Sequence, residues 1–451
     1  MQNKSKLNIK NFGPINEANL DINRINIVGG KNASGKSFSS KLLFCFLTSL
    51  SDKGKIIENN GMYTAFHMAI SRFINRISHF SSGKISYNKI LLKNELESLL
   101  DNWNFNEISY EYFLDVYMKF EKLITDNNIL IDESTKQELD SLKQGIEFNK
   151  DKYSYLGRVI NFLLLSEFGE SSLKNFKGGE INFDETINNN FEFKIKFEND
   201  AVNLKYNVGD LDDFRINNVI YIDNGQTLNF NMQKTSDGVI TNNNSSPYHY
   251  ISLLDNLIKK ESINNKIYEK IYTKYQKKFE NNLKDMMGGL FEFDEEKNQF
   301  VFKPSDNDES YDIKNIASGY KQMGLIQLLF INKSITENTW IILDKPEVNL
   351  HPEMQVDLAK LLIEMCKELN IYLYINTHSA ILIEAMEVYS AKYGLNDETN
   401  FYLTQKNNDT GKFDIKQIQK NKLYELYNNL GDPYDIVDRI RGENIANHLY
   451  R

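Results

Sequence analysis

The chain has 451 residues, 41% of them hydrophobic, which is enough for one large domain or for two to three ordinary ones. Its net charge of −9 argues against nonspecific coating of DNA, although a local basic groove stays compatible with it. No apolar run reaches the ~18–20 residues of a membrane span, and no leader opens the chain. Cys45 and Cys366 lie in apolar stretches and are expected to be reduced core residues. We therefore expect a globular cytoplasmic protein that makes no membrane contact.

The first 30 residues predict three short strands, and a buried helix follows them. The strands are "KLNIKNFGPI", "ANLDI" and "RINIVGG", with turn residues at Gly13-Pro14 and Asp21. From Lys36 to Leu47 the chain is apolar on nearly every side, as expected of a helix packed against a sheet.

The middle of the chain changes from helical to strand patterns. Long apolar periods such as "YEYFLDVYMKFEKLI" and "RVINFLLLSEF" predict helices up to the "KGGE" turn at 177–180. "FEFKIKF" and "VNLKYNV" then alternate like an antiparallel pair, and "NNVIYID" has the pattern of a buried strand. A charged helix over 263–285 and a hairpin, "LFEFDEEKNQFVF", come next.

From residue 315 onward, helices alternate with the short apolar strands "TWIILD" and "IYLYINT", which predicts a parallel sheet with crossover helices. The gap between Lys36 and this region exceeds a typical domain, so we expect an insertion into a split head. The predicted organisation is an α/β head over 1–100 and 181–451, interrupted by a mainly helical arm over 101–180.

The strongest motif is "GKNASGKS", which satisfies G-x-x-x-x-G-K-S, follows a strand and opens a helix. Glycines let such a loop curl so that its N–H groups face phosphates at the helix N-terminus. Lys36 is expected to reach the β- and γ-phosphates of ATP, and Ser37 to ligate Mg²⁺. The predicted ATP-binding residues of this loop are Gly30, Lys31, Asn32, Ala33, Ser34, Gly35, Lys36, Ser37 and Phe38.

Two further segments carry residues suited to this chemistry. In "WIILDKPEVNLHP", Asp344 ends a buried strand, where such a carboxylate holds Mg²⁺ in phosphate-loop proteins. In "NTHSA", His378 follows the next strand and could sense or polarise the γ-phosphate. A histidine in that position could equally be a capping or packing residue.

The segment "NIASGYKQMGLIQLLF" opens an amphipathic helix with a small Ser-Gly turn. Ser318 and Gly319 could bind phosphate there, because a helix N-terminus attracts anions. Taken alone, the segment is better explained as a plain helix capped by Ser318.

In this order, the motifs resemble the heads of ABC-type ATPases, with "IASGY" as the signature, "ILDKPE" as the Walker B strand and His378 as the switch histidine. The wording of "LNIKNFGPI", "PEVNLHP" and "NTHSA" is most similar to ABC-class AAA ATPases. These include OLD-type proteins, RecF and SMC relatives, and anti-phage ATPase subunits such as PtuA of Septu and AriA of PARIS. The resemblance covers about residues 1–50 and 215–451. It implies a head dimer in which one subunit's phosphate loop and the partner's "SGYKQ" turn sandwich ATP.

The sequence departs from this family's pattern at three places. Ala317 replaces the signature serine, and the Q-loop has only a weak candidate in Gln226. Lys345 occupies the position of the catalytic glutamate, and loss of a general base commonly costs ~10²–10⁴-fold in rate. Glu347 could replace that glutamate only if the loop takes another course. Lys345 thus predicts retained ATP binding with impaired hydrolysis, whether it is natural or engineered.

The leading hypothesis is an ATPase subunit of a prokaryotic anti-phage defence complex. It forms a dimer or higher homo-oligomer through its heads and controls a separate effector, such as a nuclease. The defence role comes from the resemblance alone. The alternative is a RecF- or SMC-like ATPase that clamps DNA, for which the Lys-rich helix over 263–285 is a candidate surface, although alternating charges usually form a solvated face. A third reading, an ABC importer subunit, conflicts with the long interruption before the signature.

Overall fold

The computed structural model describes most of the chain, and its elements are numbered here in chain order. The described residues are 5–58, 61, 94, 110–126, 133, 136–137, 140–141, 153, 155–185, 191–198, 201–209, 215–223, 232–235, 238–241, 246–258, 266–297, 299–306, 309–430 and 439–441. Within them, no helix combines the length and apolar character needed to cross a membrane. The weak Q-loop candidate, Gln226, lies outside the described residues.

The chain divides into two compact units. One consists of Met1–Ser51 with Phe162–Arg451, and the other is Asp52–Asn161. Within the second unit, Arg158 forms a salt bridge with Glu58 at 2.6 Å. The sequence predicts an arm over residues 101–180 inserted in the head, and these bounds remain a prediction.

The described strands form one large sheet and two small ones. The bounds are β1 Ser5–Phe12, β2 Ile15–Ile22, β3 Ile25–Gly29, β4 Glu180–Glu185, β5 Phe191–Glu198, β6 Ala201–Val208, β7 Asn218–Ile222, β8 Met232–Thr235, β9 Gly238–Thr241, β10 Gly289–Asp294, β11 Gln299–Pro304, β12 Tyr311–Asp312, β13 Thr339–Asp344, β14 Tyr372–Thr377, β15 Thr399–Lys406 and β16 Phe413–Ile418. The large sheet has 11 strands in the order β6-β5-β4-β1-β2-β16-β15-β3-β14-β13-β7.

The described helices include two that connect the parallel strands β13, β14 and β15. Their bounds are α1 Lys36–Leu50, α2 Tyr110–Asp126, α3 Leu156–Phe168, α4 Glu170–Lys174, α5 Tyr248–Ile258, α6 Lys266–Met287, α7 Ser318–Ile331, α8 Pro352–Leu369 and α9 Ala380–Lys392. Leucine, isoleucine and phenylalanine side chains of α7, α8 and α9 join one core cluster with β3, β13 and β14. The predicted succession of helices and parallel strands after residue 315 is therefore confirmed.

The patterns predicted for the strands are confirmed at the level of register. Along β5 the side chains of Phe191, Phe193, Ile195 and Phe197 are buried and the residues between them are exposed. β5 pairs with β6 in antiparallel register, as the two alternating segments predicted. β7 is buried at every position, and β10 pairs with β11 as a hairpin. Alternation is reliable here because successive strand residues point to opposite faces.

The parallel strands place the functional segments at one edge of the sheet. β15, β3, β14, β13 and β7 are neighbours and run parallel to one another. Because their directions agree, the loops that follow them emerge on the same side. The phosphate loop follows β3, Asp344 ends β13 and His378 follows β14.

A buried carboxylate joins the helix that follows the phosphate loop to two other helices. Glu167 on α3 accepts a hydrogen bond from the His249 backbone N–H of α5 at 3.0 Å. Its Oε2 lies 2.6 Å from His249 Nδ1 and 3.4 Å from Lys41 Nζ of α1. Burial alone would raise the pKa of Glu167, but the bonds with His249 and the charge of Lys41 outweigh it and lower that pKa. The ionised carboxylate thus ties α1 into the packing around the sheet.

Candidate nucleotide-binding site

The loop of residues 30–37 has the backbone conformation that its glycines permit. Gly35, immediately before α1, has φ 94°, and a Cβ atom there would lie 2.5 Å from Ile15 Cγ1. Gly30 has φ 148°, and a Cβ atom there would lie 1.8 Å from Thr404 Oγ1. Ala33, at φ 58°, also takes a left-handed conformation. Only glycine fits the first two positions without displacing its neighbours.

The Lys36 side chain is buried beneath this loop. Its Nζ donates hydrogen bonds to the carbonyl oxygens of Gly30 and Lys31, both at 2.8 Å, and lies 3.3 Å from Ser34 Oγ. Burial lowers the pKa of Lys36 to about 8, and the negative charges of Asp344 and Glu347 oppose that shift. The ammonium group is therefore held in place by the loop that a phosphate would enter.

A threonine that the sequence did not single out supports the loop from below. Thr404 on β15 is buried, and its Oγ1 donates to Ser34 Oγ at 2.8 Å. Ser34 Oγ in turn lies 2.7 Å from the Lys31 carbonyl oxygen. Threonine is common in strands, so no local pattern could have marked Thr404.

Asp344 is held by a ring of hydrogen bonds that also includes α1. Asn376 Nδ2 lies 3.3 Å from Asp344 Oδ1 and 2.8 Å from Ser40 Oγ. The Tyr221 hydroxyl lies 3.4 Å from Asp344 Oδ2 and 3.0 Å from the same Ser40 Oγ. Each carboxylate oxygen thus has its own neutral donor, and all four residues are buried or nearly so. Sequence reasoning missed Tyr221, Ser40 and Asn376, since only the strand order brings them together.

Lys345 turns the chain sharply as soon as β13 ends. Its φ is 58°, a left-handed conformation that is uncommon for a residue other than glycine. Its backbone N–H donates to the Asn376 carbonyl oxygen at 2.8 Å. The positive charge of Lys345 contributes to the lowered pKa of Lys36. The structure therefore places the lysine side chain within the electrostatic reach of the phosphate-loop lysine.

Glu347 and His378 are hydrogen-bonded to each other, and His378 lies beside Lys36. The His378 backbone N–H donates to Glu347 Oε1 at 2.7 Å. His378 Nδ1 lies 3.4 Å from Lys36 Nζ and also hydrogen-bonds the Gly30 carbonyl oxygen. Burial and the charge of Lys36 lower the pKa of His378 to about 4, so its imidazole is neutral at pH 7. Burial raises the pKa of Glu347.

The Ser-Gly turn predicted as a signature lies beside the loop that follows β13. Ala317, not Ser318, is the N-cap of α7, and it makes no side-chain capping bond. A Cβ atom on Gly319 would lie 2.4 Å from the Asn349 carbonyl oxygen, which explains a glycine there. Ser318 itself is exposed. A capping role for the Ser318 side chain is therefore wrong, because the helix begins one residue earlier than that role requires.

The remaining residues of the phosphate loop differ in exposure. Lys31, Asn32 and Ala33 are exposed, whereas Ser37 and Phe38 are half-buried. The Phe38 ring packs against other rings, with centroids 5.4 Å from Phe168 and 5.9 Å from Phe12. Phe38 thus anchors the start of α1 in the core, which sequence reasoning did not anticipate.

Ser37 and Asp344 fit the donor set of a magnesium site at a bound nucleotide. Ser37 lies one helical turn before Ser40. The Ser40 hydroxyl hydrogen-bonds Asn376 and Tyr221, the two residues that donate to Asp344. A hydroxyl and a carboxylate are oxygen ligands that Mg²⁺ accepts, and nucleotide phosphates complete its octahedral shell. In the described part of the chain, no group of three His, Cys, Asp or Glu residues is placed to hold a metal.

Comparison with known families decides the identity of this fold. The AAA ATPase domain family (AAA_15) matches residues 4–383. The chain belongs to this family. Its α/β head is that of a P-loop ATPase, so the predicted fold class is confirmed.

Solved structures similar to this AAA ATPase include heads of SMC proteins. The SMC head bound to the C-terminal winged-helix domain of ScpA is 10% identical, with a TM-score of 0.43, over 94% of this chain and 99% of that chain. The SMC head of Thermotoga maritima is 12% identical (TM-score 0.36; 92% and 99% covered). An SMC head with an extended coiled coil, bound to the C-terminal domain of ScpA and derived from Pyrococcus furiosus, is 10% identical. Its TM-score is 0.35, and the match covers 98% of this chain and 100% of that chain. No curated protein sequence matches significantly.

The lowered pKa of Lys36 predicts that ATP binding weakens in alkaline solution. The charged ammonium attracts phosphate and is present below its pKa of about 8. We expect the affinity for ATP to be constant below this pH and to fall by up to about tenfold per pH unit above it. Titration of a fluorescent ATP analogue between pH 6.5 and 9.5 measures this, and Lys36→Arg, which stays charged, should show a flat profile. A flat wild-type profile would contradict the prediction.

Proposed function

We propose that this AAA ATPase is an ATP-binding switch whose hydrolysis is slow. The observation that carries the proposal is the buried Lys36 ammonium, held by loop carbonyls and flanked by Asp344. In this proposal Lys36 contacts the β- and γ-phosphates, while Ser37 and Asp344 hold Mg²⁺. In the same proposal His378, whose Nδ1 lies 3.4 Å from Lys36 Nζ, responds to the γ-phosphate.

The slow turnover follows from the residue after Asp344. A cation at position 345 favours the charge of bound ATP but can accept no proton and orient no water through an acceptor. ATP binding and hydrolysis are thereby separated, and the nucleotide-bound state becomes long-lived. Such a state suits a switch better than a motor.

We further propose that two heads dimerise around ATP or assemble into a higher homo-oligomer. Ser318 and Val348 are both exposed, and the packing of Gly319 against Asn349 brings their two segments together on one surface. In a dimer, this surface would cover the nucleotide of the partner subunit through the helix N-terminus at Ser318.

Size measurement with and without MgATP tests the dimer. Light scattering should show an ATP-dependent dimer for the wild type. Ser318→Arg should stay monomeric while its affinity for ATP changes less than about threefold, because a bulky cation blocks the surface without touching the chain's own loop. Thr410→Arg, an equally large change in an exposed turn, is the matched control and should dimerise. Equal dimerisation of Ser318→Arg and the control would contradict the proposal.

The biological role that we propose is control of a separate effector, such as a nuclease, in a prokaryotic anti-phage defence complex. What supports it is the resemblance of "PEVNLHP" and "NTHSA" to ATPase subunits of such systems. Copurification of a neighbouring gene's product with this chain, strengthened by ATP, tests the role. A chain that copurifies alone under both conditions would count against it.

The alternative is a DNA clamp of the RecF or SMC kind. It requires a basic surface, for which the lysines of α6 are the candidates. Lys278 of this helix forms a salt bridge with Glu364 at 3.2 Å, which reduces the charge available for phosphates. Measuring the affinity for duplex DNA at several salt concentrations tests this alternative, since a clamp loses affinity steeply as the salt concentration rises. Absence of binding at moderate salt removes the alternative.

A further inference from the structure

Two buried side-chain atoms, on residues that contact Lys36 or act on it through their charge, have no hydrogen-bond partner among the residues that the structure describes. They are Glu347 Oε2 and His378 Nε2. Their parent residues are already joined, because Glu347 Oε1 accepts the His378 backbone N–H at 2.7 Å. A buried polar atom left without a partner costs about 1–3 kcal/mol. Both atoms are therefore open to a hydrogen bond with a ligand.

The polarity of both atoms follows from their other contacts. His378 Nδ1 lies closer to the Gly30 carbonyl oxygen, which can only accept, than to Lys36 Nζ, which can only donate, and we assign the hydrogen to Nδ1 because the shorter contact decides. In a neutral imidazole, Nε2 is then an acceptor. A carboxylate oxygen at Glu347 Oε2 is an acceptor as well. A ligand that contacts both atoms would donate two hydrogens, which a water molecule does while keeping its lone pairs free.

The course of the loop brings Glu347 to this place. The left-handed turn at Lys345, pinned by its N–H bond to the Asn376 carbonyl oxygen, reverses the chain after Asp344. Backbone bonds from Val348 to Lys345 at 3.2 Å and from Leu350 to Glu347 at 3.0 Å continue the turn. The carboxylate two residues beyond Lys345 thereby reaches the loop that carries His378.

We propose that Glu347 and His378 together orient the water that attacks the γ-phosphate. The inference rests on ATP binding at Lys36 as proposed above. The water oxygen forms a bond to the γ-phosphorus while the bond from phosphorus to the bridging oxygen of ADP breaks. ADP leaves with that electron pair, and one proton of the water passes to an oxygen of the released phosphate. Glu347 thus performs the water-orienting role that Lys345 cannot perform. The slow hydrolysis of ATP depends on this carboxylate.

Glu347→Gln is the direct test, because it is nearly isosteric and inverts the polarity of one atom. Its amide oxygen can still accept the His378 N–H, whereas its NH₂ replaces the free acceptor by a donor. We expect kcat for ATP hydrolysis to fall about 10²-fold while the Kd for MgATP and the unfolding temperature stay unchanged. Glu353→Gln removes an exposed carboxylate six residues further along and serves as the control with wild-type kcat.

His378→Gln keeps the proposal testable if Glu347→Gln folds poorly, since it should also lower kcat, and where both variants fold the two substitutions form a double-mutant cycle. Two residues that share one water act as a unit, so the double variant should be little slower than either single variant. Multiplicative losses, or a wild-type kcat in Glu347→Gln, would overturn the inference. ATP binding with no measurable wild-type turnover would overturn it too. Loss of ATP binding by the wild type, in contrast, would refute the proposed function itself.

Discussion

Replacing Lys36 by methionine should weaken MgATP binding about 10²-fold or more. The variant keeps the length of the side chain but removes an ammonium that the loop already holds in position. Hydrogen bonds to charged groups contribute about 1.5–3 kcal/mol each, and more than one phosphate oxygen is within reach of such a group. The Gly30 and Lys31 carbonyls also lose their donor, so the empty loop loses part of its order.

Isothermal titration calorimetry with MgATP measures the effect of Lys36→Met. Lys10→Met, which removes an exposed lysine from β1, is the matched control and should bind within about twofold of the wild type, because surface charges at a distance are screened. Binding by Lys36→Met within threefold of the wild type would show that the nucleotide does not occupy this loop. Equal losses in both variants would mean that net charge, not the site, governs the affinity.

Lys345→Glu should raise the rate of ATP hydrolysis by about 10²–10⁴-fold, the usual contribution of a general base. The substitution does not change the strain of the left-handed backbone at position 345, since glutamate is as unfavourable as lysine at φ 58°. It removes a positive charge near Lys36 and adds a carboxylate at the end of β13. Binding of ATP should change little by comparison, because binding depends on Lys36 and the loop amides.

Single-turnover kinetics with saturating ATP separate the rate of this variant from its affinity. Lys345→Gln distinguishes the two parts of the substitution, since it removes the cation without supplying a carboxylate. We expect Lys345→Gln to stay within about tenfold of the wild type while Lys345→Glu rises well above both. Equal rates for lysine and glutamate at this position would refute the view that residue 345 limits hydrolysis.

Much of the fold followed from local patterns. The alternation in β5 and the unbroken apolar run of β7 depend only on the side chains of five to eight consecutive residues, and both strands formed as predicted. The hairpin of β10 and β11 likewise depends on one short turn. The position of β16 was not predictable in this way, because it pairs with β15 on one side and, from far along the chain, with β2 on the other.

The sequence by itself determined the phosphate loop, because all its parts lie within residues 30–37 between a strand and a helix. It also located Asp344 and His378 at strand ends. Only the tertiary structure decided how Tyr221 and Asn376 hold Asp344, and how Thr404 supports the loop. These residues come from strands far apart in the chain, and their contacts depend on strand order and register, which no local pattern carries.

The loop after Asp344 shows the same division most clearly. The sequence shows a lysine at position 345, where the family that it resembles has the catalytic glutamate. The expectation of impaired hydrolysis came from that comparison. The left-handed turn at that lysine, and the bond it brings about between Glu347 and the His378 amide, are visible only in three dimensions. The reason is physical: a backbone dihedral angle of this kind is selected by the hydrogen bond to the Asn376 carbonyl on the neighbouring strand, not by the lysine itself.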